Sequence, residues 1–530
     1  MSPNPKLIMV LAAALLGGCG GNGDASGSMG GNGSGSGGSP IQAPGTLLHN
    51  PPVLLSTMSA ADLLAKLATD TSSLTFGAQV VARVLTLAGA PPCQVQVFHI
   101  EYDTVGGAGE STTASGALMV PAGTDSTCQG PRPILLYAHG TTTDRSFNIA
   151  DLTKQANDEG ALLAVFFAAR GYIVVAPNYA GYDTSSLAYH PYLVAAQQSQ
   201  DMINGLTAAR SALPIGSGAS DNGQLFITGY SQGGYVAMAT HRAMQAAGMT
   251  VTASAPMSGP YALAAFVDAE FEGAVSGAAP VVATLLITGY QHSYGNIYAN
   301  ASDIFAPEYA SGISTLLPST MLRSQIYSAG LLPETALLDS TPPSAAYASI
   351  TPATAPAGLA PVFAQGFGPA ALITNAYRLS YLQDAQANPD GGFPTLTNDQ
   401  PAAAPALPLR QAVKQNDLRN WTPTAPTLLC GGDQDPVVFY ANTQLMQAYW
   451  AAYAPATTTI SVLDLDSSTP STGDNGSLQS EFQDAKLAIA AAAVLQGAND
   501  GGQTAVFEAY HATLVAPFCL AAVAHFFDMQ

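Results

Sequence analysis

The chain has 530 residues, of which 48% are hydrophobic and only 9% are charged. This composition is typical of a globular protein with a largely uncharged polar surface, and the length suffices for one large or two ordinary domains. The formal net charge of −20 argues against nucleic acid as a partner, because the phosphate backbone would repel an acidic protein.

Residues 1–18 are predicted to be a signal peptide. Lys6 precedes an apolar run, 7–16, that is too short to span a bilayer as a mature helix. Small residues then directly precede Cys19, which resembles the lipidation signal of bacterial lipoproteins. The resemblance implies cleavage before Cys19, a lipid on its thiol, and an exported protein anchored to a bacterial membrane. A plain signal peptide and a secreted protein is the alternative.

Residues 19–45 are predicted to be a flexible tether, because Gly, Ser and Asn cannot bury apolar surface. Beyond the tether, helical and strand-like patterns follow one another, beginning with helical spacing from Met58 to Leu87. The predicted strands are 95–102, 113–120, 133–138, 172–177, 225–228, 251–257, 424–430 and 459–465. The predicted helices are 151–169, 191–213, 232–247, 478–495 and 514–527. This alternation predicts an α/β fold, with a mostly parallel central sheet and helices on both faces.

The alternation is interrupted between residues 265 and 415. This stretch is rich in Ala, Pro, Tyr and Ser and has helical pieces such as 281–297, but no clear strand pair. We interpret it as a mainly helical cap inserted into a single α/β core, whose two parts are 46–264 and 416–530.

Ser231 lies in the most informative stretch of the sequence. The apolar run 225–228 ends in Gly229-Tyr230-Ser231-Gln232-Gly233, and an Ala-rich helical pattern follows. A Gly-x-Ser-x-Gly sequence between a strand and a helix is typical of a sharp turn that holds a serine hydroxyl above a sheet. An ordinary Gly-rich turn is the alternative. The context predicts a nucleophilic serine.

A serine nucleophile needs a base within hydrogen-bond reach and an acid that orients the base. In the α/β-hydrolase arrangement the chain order is Ser, acid, His. Asp435 fits the acid, because it follows the predicted strand 424–430 in a Gly-x-x-Asp-x-x-Val spacing. Asp433 is the alternative for the acid, and a turn or helix cap is the structural alternative for both aspartates.

Two of the eight histidines, His511 and His525, follow Asp435 in the chain. His525 lies inside the last helical pattern and is predicted to be packed, whereas His511 lies at a predicted loop-to-helix junction, from which it can reach over the sheet. His511 is therefore the predicted base. The remaining six are predicted to be core or surface residues or, for His139, part of the oxyanion loop: His49, His99, His139, His190, His241 and His292.

An oxyanion hole needs preorganised N–H donors. In this arrangement one donor is the residue after the nucleophile, here Gln232, and the other lies in the loop after the third strand. Thr141 occupies that loop, so its backbone N–H is the predicted second donor.

Several segments together resemble the bacterial and fungal secretory-lipase-like branch of the α/β-hydrolase superfamily. The matching pieces are 137–141 (YAHGT), 175–181 (VAPNYAG), 229–233 (GYSQG), 425–429 (APTLL) and Gly432 with Asp435. The branch has a helical cap after the sixth strand, which corresponds to the insertion 265–415. The resemblance implies ester hydrolysis.

Beyond Cys19 the chain has four cysteines: Cys93, Cys128, Cys430 and Cys519. An exported chain with four cysteines suggests two disulfides, for which three connectivities exist. Cys93–Cys128 would bracket the first two predicted strands, and Cys430–Cys519 would join the segments of the acid and the base. Buried free thiols are the alternative.

The sequence thus predicts a serine hydrolase with the triad Ser231, Asp435 and His511, acting on an ester. No group of His, Cys and carboxylates has ligand spacing, so the sequence implies no metal and no cofactor. It also implies no obligate protein partner. A serine peptidase with the same fold is the first alternative. A surface protein that binds without catalysis is the second.

Overall fold

A computed structural model describes residues 43–69, 91–154, 158–216, 218–390 and 400–530. The predicted signal peptide, Cys19 and most of the predicted tether lie outside these residues. So does most of the helical pattern predicted between Met58 and Leu87.

The centre of the molecule is a nine-stranded sheet with the order β1-β2-β3-β5-β4-β6-β7-β8-β9. The strands are β1 Val53–Met58, β2 Gln94–Val105, β3 Ser111–Ala122, β4 Pro131–Ala138, β5 Ile173–Pro177, β6 Ser220–Tyr230, β7 Ala253–Met257, β8 Thr427–Gly431 and β9 Ile460–Asp464. The pairs within β1-β2-β3-β5 are antiparallel, and all pairs from β5 to β9 are parallel. The predicted mostly parallel sheet is confirmed.

Helices cover both faces of the sheet. On β4, Ile134 and Leu136 belong to one hydrophobic core, while Leu135 and Tyr137 belong to the other. Neighbouring side chains of a strand point to opposite faces, so a strand that is buried on both faces needs a continuous apolar run. This is why the inner strands show no alternation in the sequence.

The helices among the described residues are α1 Ala60–Thr69, α2 Asp158–Phe166, α3 Ala195–Ala212, α4 Gln232–Ala246, α5 Leu263–Phe271, α6 Ala279–Tyr294, α7 Pro307–Ala310, α8 Arg323–Ser328, α9 Ala360–Gln365, α10 Asn375–Ala387, α11 Pro408–Gln415, α12 Ala441–Tyr453, α13 Gly473–Leu495, α14 Gln503–Ala509 and α15 Ala516–Asp528. A π-helical turn, Tyr510–Val515, joins α14 to α15. The joined segment 503–528 is long and apolar enough to cross a membrane, but 61% of its apolar window is buried inside the protein. It packs as a core helix against the sheet.

The structure differs from the sequence-based elements at three places: one strand was not predicted, and two helices have different bounds. Strand β1 was not predicted, because its side chains are mostly exposed on the edge of the sheet and show no alternation. The helix predicted over 151–169 is not formed at 151–154, and it ends at Phe166, where a 3₁₀ turn follows. The helix predicted from Pro191 begins at Ala195.

A long helical insertion separates β7 from β8. In the described part of this segment, 258–390 and 400–426, the regular elements are helices α5 to α11 and short 3₁₀ turns, with isolated β-bridges. The predicted mainly helical insertion is confirmed, and the predicted cap boundaries at 265 and 415 remain predictions.

The direction in which successive strands are added reverses at β4, near the centre of the sheet. The chain leaves β4 toward β5 on one side, whereas β6 lies on the other side of β4. In open α/β sheets the crevice at such a reversal, beyond the carboxyl ends of the strands, is where ligands bind. The loop containing Thr141 follows β4, and Ser231 follows β6.

Candidate active site

Ser231 lies at a strained turn between β6 and α4. Its φ of 60° is in the left-handed region, where only glycine is unstrained. A Cβ atom on Gly233 would lie 1.9 Å from the carbonyl oxygen of Ala138, so only glycine fits there. The Ser231 side chain makes no capping hydrogen bond to α4. Its hydroxyl is therefore available to another group.

A chain of hydrogen bonds links Ser231, His511 and Asp435. The Oγ atom of Ser231 lies 2.8 Å from His511 Nε2, and His511 Nδ1 lies 2.7 Å from Asp435 Oδ2. The backbone N–H groups of Val437 and Val438 donate to the other carboxylate oxygen, at 2.9 and 3.0 Å. Asp435 is 1% exposed. Its carboxylate is thus fixed and turned toward the imidazole.

The local structure around His511 differs from the predicted loop. His511 lies in the π-helical turn Tyr510–Val515, inside the continuous helical segment. Pro517 has no N–H, so the helix loses one backbone hydrogen bond just after this turn. Single π-helical turns within α-helices are frequent at functional sites. The prediction that His525 is packed was also wrong: its side chain is 50% exposed and lies 3.3 Å from Asp474.

Two tyrosines that the sequence analysis did not identify contact the segments that carry Asp435 and His511. The Tyr230 hydroxyl donates to the carbonyl oxygen of His511, and the two rings are 4.9 Å apart. The Tyr510 hydroxyl donates to Asp466 and accepts from the backbone N–H of Gln434, next to Asp435. No sequence signal singles out these residues beyond their positions beside Ser231 and His511.

The two predicted oxyanion donors, Thr141 and Gln232, line the same cavity as Ser231. The Thr141 hydroxyl lies 2.8 Å from that of Tyr192. Gln232 is the first residue of α4, where backbone N–H groups have no helical partner. Its side-chain amide lies 2.7 Å from Nε2 of the buried His190.

The neutral form of His190 accepts a hydrogen bond from the side-chain amide of Gln232. Burial lowers the pKa of His190 to about 3. Its Nδ1 lies 2.9 Å from the carbonyl oxygen of Ala180, which requires a proton on Nδ1, so Nε2 accepts from the amide of Gln232. His190 is thus a buried partner of the proposed oxyanion region, beyond the structural role predicted for it.

The other candidates lie apart from Ser231. Asp433 accepts a hydrogen bond from the neighbouring amide of Gln434, and its backbone N–H donates to Asp464. His139, predicted to belong to the loop of Thr141, has its Nε2 3.0 Å from the carbonyl oxygen of Asn178. The remaining predicted structural histidines have local partners: His49 with Glu101, His99 with Asp183, His241 with Ser254 and His292 with Ser314. Within the described ranges, no group of three or more His, Cys or carboxylate side chains is arranged to hold a metal ion.

Ser231 and His511 open onto a cavity of about 820 Å³. Apolar side chains of the insertion cover it, including Phe266 and Val267 of α5 and Ile287 of α6. A largely apolar, concave site of this size with a few polar groups is typical of a small-molecule site.

The structure contains two disulfides, Cys93–Cys128 and Cys430–Cys519, the pairs favoured from the sequence. Both sulfurs of the second pair are buried. Cys430 lies five residues before Asp435 in the chain, and Cys519 lies eight after His511. This disulfide therefore ties strand β8, which leads to Asp435, to helix α15, which follows His511.

Replacing Cys430 and Cys519 by serine is expected to lower the melting temperature and to reduce kcat. The bond closes a loop of 89 residues, for which the chain-entropy model gives about 4–5 kcal/mol of stability. Thermal unfolding and ester hydrolysis would be measured side by side. The matched control replaces Cys93 and Cys128, which should lower stability but not kcat. Equal kcat losses in both variants would contradict the positioning role of Cys430–Cys519.

A model of the prolyl oligopeptidase family matches residues 161–259, which include Ser231. No curated protein matches the chain.

Solved structures match over most of the chain. A structure of the rice cell wall degrading esterase LipA from Xanthomonas oryzae is 26% identical, covers 81% of this chain and 92% of its own, and has a TM-score of 0.60. A ligand-bound form of LipA gives 24% identity, 92% and 100% coverage and a TM-score of 0.65. A hydrolase candidate from Legionella pneumophila gives 18% identity, 91% and 97% coverage and a TM-score of 0.59. The chain is therefore a serine hydrolase of the α/β-hydrolase superfamily.

Proposed function

We propose that the protein hydrolyses carboxylic esters through an acyl-enzyme, with Ser231 as nucleophile, His511 as general base and Asp435 as the group that orients His511. The observation that carries the proposal is the hydrogen-bond chain from Ser231 Oγ through both imidazole nitrogens to Asp435. A serine hydroxyl is a weak nucleophile alone and becomes an effective one when a base takes its proton.

The proposed reaction has two halves. In the first, Ser231 Oγ attacks the ester carbonyl carbon while His511 Nε2 takes the hydroxyl proton. The C–O bond to the alcohol then breaks, and His511 gives the proton to the departing alcohol oxygen. In the second, a water molecule attacks the acyl-serine, His511 takes and returns a proton, and a carboxylic acid leaves. Asp435 stabilises the imidazolium in both halves.

The negative oxygen formed in each half is proposed to accept from the backbone N–H groups of Gln232 and Thr141. Removing one such donor typically costs about 10²–10³ in kcat. Supporting this role, Gln232 begins α4, whose N-terminal end favours negative charge, and Thr141 lines the same cavity.

The cavity and the similarity to LipA support an ester substrate. The described cavity lining is mainly apolar, and the 26% identical LipA is an esterase. We propose esters, lipids or polyesters outside the cytoplasm as the substrate class. A serine peptidase is the second candidate, because the prolyl oligopeptidase family model matches the segment containing Ser231.

The two candidates are separated by assaying 4-nitrophenyl esters of increasing acyl length beside aminoacyl-4-nitroanilides. Ester hydrolysis without anilide hydrolysis is the expected result. Preferential cleavage of the anilides would identify a peptidase and overturn the proposal.

We further propose that the protein is exported and anchored to a bacterial membrane through a lipid on Cys19. The support is the sequence signal before Cys19 and the two disulfides, which form in oxidising compartments. Fractionation of cells that produce a Cys19→Ala variant tests the anchor, and an unchanged membrane-bound pool would contradict it.

A further inference from the structure

One carboxyl group inside the cavity has no role in the proposed chemistry. The charged side chains that line the cavity are few, and Arg323, Asp500 and Glu508 are solvent exposed. Glu159 is engaged, because it accepts hydrogen bonds from the Tyr137 hydroxyl and the backbone N–H of Gly140. The remaining carboxylate is Glu270, which is 7% exposed and belongs to helix α5 of the insertion.

Glu270 belongs to the apolar face of α5. Phe266, Val267 and Phe271 line the cavity with it, as the spacing of residues on one side of a helix requires. A carboxyl group at this position is costly, because burial in an apolar environment disfavours the charged form unless hydrogen bonds compensate. A carboxyl group in this wall therefore needs polar partners, and the backbone N–H of Ser276 is one of them.

The hydrogen bonds of Glu270 leave some of the acceptor sites of its carboxylate unoccupied. Its two oxygens share the backbone N–H of Ser276, at 3.2 and 3.0 Å, and the Ser276 hydroxyl is the other partner. A carboxylate offers about four lone-pair sites. The Ser276 contacts therefore fix the carboxyl group in place while acceptor positions remain for a ligand in the cavity.

We propose that Glu270 is a specificity residue that accepts a hydrogen bond from a hydroxyl group on the portion of the ester that binds beneath α5. The inference rests on the proposed function and deepens it, because it selects hydroxyl-bearing esters over esters with a purely hydrocarbon group there. A site built to bind a hydroxyl discriminates strongly against the analogue that lacks it, since the buried polar group is then left unpaired.

A hydroxyl fits this position better than an ammonium group. The surrounding wall is apolar, and moving a full positive charge out of water costs far more than moving a neutral hydroxyl. Burial also raises the pKa of Glu270 to about 7, so the carboxyl group can be neutral near pH 7. A neutral carboxyl group still hydrogen-bonds to a hydroxyl but attracts a cation poorly.

The test compares matched ester pairs that differ only in a terminal hydroxyl against a terminal methyl group. One series is 4-nitrophenyl esters of ω-hydroxy and unsubstituted alkanoic acids. The other is acetates of ω-hydroxy and unsubstituted alkanols. Two series are needed because either the acyl or the alcohol part can lie beneath α5.

In one of the two series, wild-type kcat/KM is expected to favour the hydroxylated member by about tenfold or more, the scale of leaving one buried polar group without its hydrogen-bond partner. Glu270→Leu should abolish this preference. Glu270→Gln should reduce it severalfold, because the amide oxygen faces Ser276 and only the NH₂ group faces the cavity. If Glu270→Leu does not fold, the inference is tested by whether Glu270→Gln shows the smaller preference for the hydroxylated ester.

Glu272→Gln is the matched control. Glu272 is also a largely buried glutamate, and burial raises its pKa to about 8, but it does not line the cavity. Its substitution should leave the preference unchanged. The inference is overturned if neither series shows a preference, or if the preference survives in both Glu270 variants. In either case the hydrolysis of the methyl-terminated esters still tests the proposed function separately. If the wild type hydrolyses no ester of either kind, the proposed function fails and the inference with it.

Discussion

Replacing Ser231 by alanine is expected to leave a folded protein that has lost nearly all ester hydrolysis. Alanine removes only the hydroxyl, and the side chain makes no capping bond that the fold depends on. Loss of a triad nucleophile reaches about 10⁶-fold in kcat in a well-studied serine protease. The purified variant would be assayed with a 4-nitrophenyl ester, and its thermal unfolding compared with wild type.

A fluorophosphonate probe gives a second measurement that does not depend on the choice of substrate. The wild type should form one covalent adduct, which peptide mapping would locate at Ser231, and Ser231→Ala should form none. Hydrolysis near the wild-type rate, or an unchanged adduct in the variant, would contradict the assignment of the nucleophile.

Strained backbone conformations occur at several positions besides Ser231. Among the described residues, the non-glycine positions with positive φ are Tyr179, Asp183, Leu193, Ser231 and Ser258. Tyr179 donates to the carbonyl oxygen of His139, in the loop that contains Thr141, and Ser258 follows the strand next to β6. Backbone strain persists where the surrounding structure over-determines it, and it concentrates at functional sites.

The central sheet could be predicted because its inner strands carry a simple signal. Strands buried on both faces need continuous apolar runs, and β4 to β8 satisfy this requirement with short runs between helical patterns. The sharp turn at Ser231 could be predicted because Gly229 and Gly233 leave no space for a side chain: a Cβ atom on Gly229 would lie 2.3 Å from the carbonyl oxygen of Gly233.

The rest of the site depends on contacts between distant parts of the chain. His190 and Gln232 are 42 residues apart, and Tyr230 and His511 are 281 apart, so no local pattern connects them. The π-helical turn was missed because its i→i+5 hydrogen bonds lie within an otherwise regular helical pattern. Pro517, inside the last predicted helix, was the available signal.

The geometry around His511 explains why a helical residue can act as the proposed base. The Tyr230 hydroxyl holds its backbone carbonyl, Asp435 holds Nδ1, and Nε2 is left facing Ser231. His525 lies 14 positions further along the same helical segment, and its side chain is turned to the surface beside Asp474. The two histidines that follow Asp435 in the chain are therefore a matched pair for mutagenesis.

His511→Ala is expected to lower kcat on the scale of Ser231→Ala, about 10⁶-fold, whereas His525→Ala should keep most of the wild-type activity. The double variant Ser231→Ala/His511→Ala should be little worse than either single variant, because triad residues act as a unit and the second substitution removes nothing that still functions. Initial rates of ester hydrolysis measure all four. If the loss in the double variant equals the product of the losses in the two single variants, Ser231 and His511 act independently. An inactive His525→Ala variant would identify His525 as the base.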